Sequence, residues 1–586
     1  MILQALTAYY EQLLRTGQIA APGWDHSFKV SYWLRIGPDG QLLDLVDCRQ
    51  LVPKGKKEVL APREMPVPAH VKRSSGIAAN FLCDNSTYLL GADEKGKPER
   101  SRQCFEVCAA LHHKLLDGVD SPVARAILAF LDTWKPENAP SHPLLAPCWK
   151  DLTNNANLLF DYEGPEDRIL ANEDEAIQNA WQQYYSSRTP ADAATVQCLV
   201  TGKQAPAEKT HPSIKGVKDA QSSGAALVSF NAPAFCSYGH EQGENAPVSE
   251  YAAFAYTTAL NKLLADRDHC RILGDTTVVC WAENASPGYA SLGMMGMFGV
   301  PEDAGVTEDD LRKALELLAD GRPCPWLNQE MLQPGQHFYI LGLSPNAARI
   351  SVRFFLRDTF EVFAQRLQRY ADETEIVRPA NDKWAALPIW ALVRETVNQN
   401  ARDKKPSPQL AGDLLRAVLT GGRYPATLLN GAVLRIRAEQ NVTRGRAAIL
   451  KAYYLRNEPT DINKEVFTVS LNESTNVPYI LGRLFSVLET LQEAANGTST
   501  IRARYFNSAC ATPALVFPTL LKLAQKHLQK IGGGLAVSYS QQITGLMALV
   551  PDDGFPARLS LPDQGKFEIG YYHQTQKRYT KKNEEE

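Results

Sequence analysis

The period of the apolar residues changes along the chain, and this change most constrains the fold. Over 30–36 the apolar side chains stand at every second position, and Gly-Pro-Asp-Gly at 37–40 leads into another short apolar run. This pattern predicts a β-hairpin, and a comparable pattern over 337–357 predicts a second one. Beyond about 461 the apolar residues recur at helical spacing, as in the stripe formed by Ile480, Leu481, Leu484, Leu488 and Leu491.

These periods predict an α+β protein, with a mixed N-terminal region of β-hairpins and helices followed by a C-terminal four-helix bundle. A chain of 586 residues is too long for a single hydrophobic core. We expect a mixed α/β region over 1–370, a basic and largely helical connection over 371–460, and the helical bundle over 461–586. The uncharged run GYASLGMMGMFG at 288–299 predicts a flexible linker, with a wedge or a partner-binding loop as the alternatives.

The cysteine pattern and the charge limit the class of protein. Eleven cysteines are scattered without a CxxC pair, which is typical of a reduced, cytoplasmic protein. The positions of Cys198, His211, Cys236 and His240 do not fit a common zinc site, so we expect neither a metal nor another cofactor. The net charge of −3 excludes a uniformly basic nucleic-acid binder, but it allows local basic patches.

Two polar stretches have the composition of a DNA-binding loop. Cations can hold a phosphate, small residues allow close backbone approach, and amide side chains can read a base edge. The stretch 71–85 supplies the candidates Lys72, Arg73, Ser74, Ser75, Asn80 and Asn85, and the loop-rich region 198–264 supplies Lys215, Lys218, Gln221, Ser222, Ser223 and Asn231. For the first stretch the alternative is an ordinary surface loop that leads into a strand.

Basic residues elsewhere are candidates for contacts with a nucleic-acid backbone. Alternation over 349–357 places three arginines and Phe355 on one strand face, although a solvated face has the same pattern. Residues 402–456 carry eleven Lys or Arg and three Asp or Glu, a net charge of +8. The candidates are Arg349, Arg353, Arg357, Arg435, Arg437, Arg444, Arg446, Lys451, Arg502 and Arg504.

Motifs of common enzyme classes are missing from the sequence. The run Gly91–Lys97 fits the first seven positions of a phosphate-binding loop, but Pro98 stands where a hydroxyl residue would bind magnesium. There is no GxSxG elbow, no HExxH and no GxGxxG after a strand. Binding is therefore favoured over catalysis, and no catalytic residue is expected.

Several longer stretches together resemble one protein family. They are KRSSGIAANFLCDNSTYLLG at 72–91, QSSGAALVSFNAPAFCSYG at 221–239, ENAPVSEYAAFAYTTALN at 244–261, YILGLSPNAARISVRFF at 339–355, YILGRLFSVLETLQEAA at 479–495 and QGKFEIGYYHQTQ at 564–576. With them the chain resembles the large subunit of the type I-C CRISPR surveillance complex, or type I-C Cascade.

The resemblance implies a non-catalytic subunit that recognises the protospacer-adjacent motif (PAM) in duplex DNA, helps to open the duplex and holds the displaced strand. The implied partners are the 5′ handle region of the CRISPR RNA, the target DNA, the Cascade backbone and handle-binding subunits, small helical subunits, and a helicase-nuclease recruited after target binding. Two alternatives stay open. One is a nuclease with scattered carboxylates, and the other is an architectural subunit that binds RNA and protein.

Overall fold

The computed structural model describes residues 1–19, 21–54, 57–71, 76–94, 97–154, 156–187, 195–379, 382, 384–402, 404 and 406–583. The chain forms two compact units. The N-terminal unit comprises Tyr10–Lys209 and Gly243–Ala255, and the C-terminal unit comprises Met1–Tyr9, Thr210–Gln242 and Tyr256–Glu586. The boundaries at 370 and 460 that the sequence suggested stay predictions.

The elements up to residue 209 begin with helix α1 (Ile2–Arg15) and continue with short strands and helices. In chain order they are β1 (Trp24–Val30), β2 (Tyr32–Ile36), β3 (Leu42–Asp47), β4 (Gln50–Lys54), β5 (Lys57–Ala61), β6 (Arg63–Pro68), β7 (Cys83–Asn85), α2 (Ser86–Leu89), α3 (Pro98–Leu116), α4 (Pro122–Thr133), α5 (Trp149–Thr153), β8 (Asn157–Glu163), β9 (Arg168–Leu170), α6 (Glu175–Ser187), β10 (Thr195–Gln197) and β11 (Gln204–Pro206).

A five-stranded sheet organises the N-terminal unit. Its order is β3-β2-β8-β7, with β9 also paired to β8, and only the β2–β8 pair is parallel. The predicted first hairpin is confirmed, because β2 and β3 pair antiparallel on either side of the turn. Helix α4 covers this sheet, with the rings of Phe130 and Phe160 5.7 Å apart.

The remaining elements are dominated by helices. They are α7 (Glu250–Ala265), β12 (Cys270–Leu273), β13 (Thr276–Ala282), α8 (Pro287–Phe298), α9 (Glu308–Ala319), β14 (Cys324–Pro325), β15 (Met331–Leu332), β16 (His337–Asn346), β17 (Arg349–Thr359), α10 (Phe360–Thr374), α11 (Ile389–Glu395), α12 (Pro408–Thr420), α13 (Ala426–Glu439), α14 (Arg444–Asn457), α15 (Asp461–Val466), α16 (Val477–Asn496), α17 (Ile501–Ala511), α18 (Pro513–Ile531), α19 (Gly533–Met547) and α20 (Leu561–Asn583).

The C-terminal unit contains an antiparallel sheet in the order β12-β13-β16-β17. The predicted second hairpin is confirmed as β16 and β17. Helices α8 and α10 pack on the sheet around Phe338, whose ring lies 5.0 Å from that of Phe360. The run 288–299 is not a flexible linker, since most of it forms the buried helix α8.

The C-terminal region is helical as predicted, and the α+β class is confirmed. Five long helices, α16 to α20, are present instead of four, because Thr512 and Pro513 separate α17 from α18. Helix α16 contacts each of the other four, and α20 also packs on α14. The helices after 461 therefore share one core with the preceding region.

Candidate nucleic-acid interface

One loop in the C-terminal unit carries six of the predicted DNA-binding residues. We call residues 213–242 the edge loop, because Ala226 within them pairs with the outer edge of strand β17. The Ala226 nitrogen donates to the Ala348 carbonyl at 3.1 Å, and the Ile350 nitrogen donates to the Ala226 carbonyl at 3.0 Å. These bonds pair part of the otherwise open edge of the sheet and fix the loop beside Arg349.

The first half of the edge loop folds back on itself. Ile214 and Ala225 exchange two backbone hydrogen bonds, each 2.9 Å long, and both side chains are buried. A turn closed by the bond from the Gly224 nitrogen to the Gln221 carbonyl follows the tip of this fold. The predicted residues Gln221, Ser222 and Ser223 are exposed there, so their polar groups are accessible to a ligand.

The two lysines of the edge loop have different environments. Lys215 is exposed, and its ammonium group has no partner in the described part of the chain. The Lys218 Nζ donates to the Gly274 carbonyl at 2.8 Å, in the turn between β12 and β13. Arg353 is held at the same turn by an ion pair of 2.9 Å with Asp275. Lys215 is therefore the more available cation.

The second half of the edge loop presents two aromatic rings. The guanidinium of Arg349 lies 4.3 Å from the centroid of Phe235, a ring that is itself partly exposed. Tyr238 has 98% of its surface exposed. A cavity of about 490 Å³ lies in this part of the loop and is lined by Phe230, Asn231, Ala232, Pro233, Cys236, Ser237, Tyr238, Gly239, His240, Glu241 and Gln242.

The prediction that Arg349, Arg353 and Arg357 share one face of β17 is wrong, because the strand contains a β-bulge. Gly342 pairs with Phe354 and Leu343 pairs with Val352, which leaves Arg353 as the extra residue. Because one added residue shifts the alternation, Arg349 lies on the opposite face from Arg357. The Arg357 guanidinium lies near the Tyr339 ring and 3.8 Å from Glu283. The three arginines therefore do not form one track for a phosphate backbone.

Asn80 and Asn85, two candidates from the stretch 71–85, lie in the N-terminal unit and have local roles. Asn80 is buried, and its Oδ1 accepts from the Val71 nitrogen at 2.9 Å. Asn85 caps helix α2, since its side chain accepts from the Thr87 nitrogen at 3.1 Å. Base reading by Asn80 is not retained, because its amide is already hydrogen-bonded in the interior. Lys72, Arg73, Ser74 and Ser75 lie outside the described residues.

The part of the basic patch of 402–456 that lies on helix α14 is internal. On helix α14, the Arg446 side chain is 1% exposed and forms ion pairs with Glu439 at 2.5 Å and with Glu395 at 3.2 Å. Arg444 pairs with Asp382 at 3.1 Å. The nucleic-acid role predicted for these two arginines is not retained, because both charged groups are buried and neutralised by carboxylates.

Lys451 on the same helix is also internal. Its Nζ donates to the carbonyls of Asp372 and Glu375, each at 2.7 Å, where helix α10 ends. Burial lowers the pKa of Lys451, although nearby carboxylates oppose that effect. We do not retain it as a backbone contact, since its ammonium group stabilises the end of α10.

The other four helical arginines lie nearer the surface. Arg435 pairs with Glu439 at 3.6 Å, and Arg437 donates to the Gln564 side chain at 2.6 Å. Arg502 and Arg504 are both exposed, and Arg502 lies 3.5 Å from Glu489. These residues are spread over helices α13 and α17, and they do not join the edge loop in one described cluster.

Sequence reasoning missed Phe235 and Tyr238. The signal was present, because these are isolated aromatic residues in a run otherwise rich in Ala, Pro, Ser and Gly. Among the described residues, no group of three or more His, Cys, Asp or Glu is arranged to hold a metal ion. No helix in the described ranges combines the length and apolar character needed to span a bilayer.

Comparison with known proteins identifies the family. No curated protein matches the chain significantly. A family model described as CRISPR-associated protein (Cas_Csd1) matches residues 6–579, and thus covers both compact units. The chain therefore belongs to the Cas_Csd1 family of CRISPR-associated proteins.

Proposed function

We propose that this protein is the non-catalytic large subunit of a cytoplasmic type I-C CRISPR RNA-guided surveillance complex. In this role it recognises the PAM in duplex DNA, helps to open the duplex and holds the displaced strand. It binds the 5′ handle region of the CRISPR RNA together with the backbone, handle-binding and small helical subunits. It then recruits a separate helicase-nuclease. The guide RNA reads the target by base pairing, while the protein reads the PAM and the DNA backbone.

The edge loop is the observation that carries this proposal. It combines the exposed cation Lys215 with the exposed hydroxyl and amide groups of 221–223 and with Asn231. Arg349 and Phe235 lie at the same sheet edge. Cations bind the phosphates of any sequence, whereas amide side chains distinguish base edges. PAM recognition requires both kinds of contact in one place.

The helices after 461 support the proposed holding of the displaced strand. Arg504 is exposed on α17, and Lys522 and Lys526 are exposed on α18. A basic helical surface of this kind suits a single strand that is held through its phosphates. This surface would continue the DNA contacts beyond the PAM.

The assembled complex provides the test. Lys215→Ala should weaken binding to PAM-bearing and PAM-less duplexes alike and reduce the salt dependence, because it removes a phosphate contact. Asn231→Ala and Gln221→Ala should selectively weaken binding to the PAM-bearing duplex, by about 1–3 kcal/mol where the side chain makes a bidentate base contact. Arg322→Ala, which removes an exposed cation paired with Asp320, is the matched control.

Equilibrium binding of the two duplexes, measured at two salt concentrations, separates these effects. If all the edge-loop variants bind both duplexes as the Arg322→Ala complex does, the edge loop does not contact DNA. Equal affinity of the parent complex for both duplexes would instead favour an architectural subunit. Magnesium-dependent cleavage of DNA by the purified protein would favour a nuclease.

A further inference from the structure

The turn at the end of the edge loop holds Tyr238 in an unfavourable backbone conformation. The His240 nitrogen donates to the Ser237 carbonyl at 3.0 Å, which closes a four-residue turn. Its two central residues, Tyr238 and Gly239, have φ values of 57° and 79°. Both angles are left-handed, as in a type I′ turn, where Asn, Asp and Gly are favoured and a bulky side chain is strained.

Packing of the ring does not compensate for this strain. Tyr238 is 98% exposed, so its ring makes almost no contact with the protein. The turn instead directs a large aromatic surface into solvent next to the cavity lined by Phe230, Asn231 and His240. A strained residue that projects an unused aromatic face is a reason to look for a ligand of that face.

A second aromatic residue lies three positions earlier in the same loop. Phe235 is 39% exposed, and the Arg349 guanidinium lies 4.3 Å from its ring centroid. Proteins that hold single-stranded nucleic acids combine aromatic rings, which stack on bases, with cations, which bind the backbone. The segment 230–242 and Arg349 together provide both components.

We propose that the segment 230–242 binds single-stranded DNA or RNA, and that Tyr238 stacks on an unpaired base. An unpaired base is favoured because the faces of paired bases are covered by their neighbours in the duplex, whereas a flipped or displaced base exposes its face. This inference rests on the proposed function and adds the residue that contacts an unpaired base of the bound strand.

The test uses short single strands that contain 2-aminopurine, whose fluorescence is quenched when it stacks on an aromatic ring. The full-length chain is titrated separately with a DNA strand and with the RNA of the same sequence, and the tighter complex identifies the source of the base. The parent protein should quench the probe. Tyr238→Phe should retain the quenching, because stacking requires the ring and not the hydroxyl.

Tyr238→Asn removes the ring but suits the left-handed backbone. We expect this variant to bind the strands at least about fivefold more weakly, without quenching, and to melt at a higher temperature than the parent. Leu535→Ala, on an exposed position of helix α19, is the control for loss of apolar surface and should bind as the parent does.

Three results would overturn the inference. In the first, Tyr238→Asn binds the strands and quenches the probe as the parent does. In the second, Tyr238→Phe loses as much binding and quenching as Tyr238→Asn. In the third, the parent chain binds neither strand. The proposed function has a separate readout in the duplex affinity of the assembled complex. If the assembled complex prefers PAM-bearing DNA but Tyr238→Asn binds single strands as the parent does, the stacking role of Tyr238 is refuted. The proposed function is then not refuted.

Discussion

Replacing Gly482 with alanine should separate two helices whose backbones are in direct contact. A Cβ atom at Gly482 of α16 would lie against the Phe567 carbonyl oxygen of α20, and 2.8 Å from both the Phe567 carbonyl carbon and the Tyr571 nitrogen. Gly570 approaches α16 in the same way, since its Cβ would lie 2.9 Å from the Tyr479 carbonyl carbon. The obstructing atoms are backbone, so the helices themselves would have to move.

The expected cost follows from two opposing effects. Ordinary contacts of a Cβ begin at 3.4 Å, and the Phe567 carbonyl oxygen would lie far inside that limit, so the helices must part by more than about 1 Å along a tightly packed interface. Overpacking of this kind costs about 1–3 kcal/mol, and backbone obstruction places it at or above the upper end. Alanine gains about 1 kcal/mol over glycine in helix propensity. We therefore expect Gly482→Ala to lower the free energy of unfolding by about 2 kcal/mol.

Guanidinium chloride denaturation of the full-length chain, followed by circular dichroism, measures this change. Gly545→Ala is the matched control, because no atom outside the immediate neighbours lies within 4 Å of a Cβ at that helical position. It should stabilise α19 slightly. If Gly482→Ala is as stable as Gly545→Ala, the close crossing of α16 and α20 is refuted.

Three further predictions concern buried polar groups. Burial raises the pKa of Glu568 to about 8, so the folded chain keeps a proton that the unfolded chain releases near its usual pKa. The free energy of unfolding should therefore fall as the pH rises from the usual pKa of a glutamate to about 8. Melting experiments over this pH range should show a weaker pH dependence for Glu568→Gln, and at pH 8 this variant should be more stable than the parent by an amount on the order of a few kcal/mol. Arg446→Ala should cost about 3–5 kcal/mol in denaturant titrations, because it removes a buried guanidinium that pairs with two partly buried carboxylates, whereas Arg435→Ala should cost about 1 kcal/mol or less. Asn80→Ala should lower stability by about 1–3 kcal/mol while the assembled complex keeps its PAM preference; a changed preference with parent-like stability would contradict the internal role of this amide.

The hairpins were predictable because their signal is local. Alternating apolar residues and the turn at 37–40 specify β2 and β3 with no information from the rest of the chain. Helix α8 was missed for the opposite reason. A Cβ at Gly293 would lie 2.8 Å from the Phe338 ring, and one at Gly296 would lie 2.6 Å from Leu367. These glycines serve close packing against distant residues, which a single sequence does not distinguish from flexibility.

The sequence predicts which polar residues the candidate site contains, but it does not predict how they are placed relative to one another. The polar residues of the edge loop were evident from the sequence, whereas its pairing with β17 depends on backbone bonds to Ala348 and Ile350. The bulge at Arg353 changes which side chains share a face, and alternation alone does not reveal it. In the sequence the cations of α14 resembled a surface patch, because the carboxylates with which they form ion pairs, such as Glu395 and Asp382, lie far from them along the chain.

Photocrosslinking from the edge loop tests the central claim most directly. A photoreactive amino acid placed at Lys215 in the assembled complex should crosslink to PAM-bearing duplex near the PAM. The same group at Arg312, an exposed position on helix α9, should give no crosslink. Crosslinks from Lys215 that depend on the PAM are the result that the account predicts. Efficient target binding without any crosslink from Lys215 would contradict it.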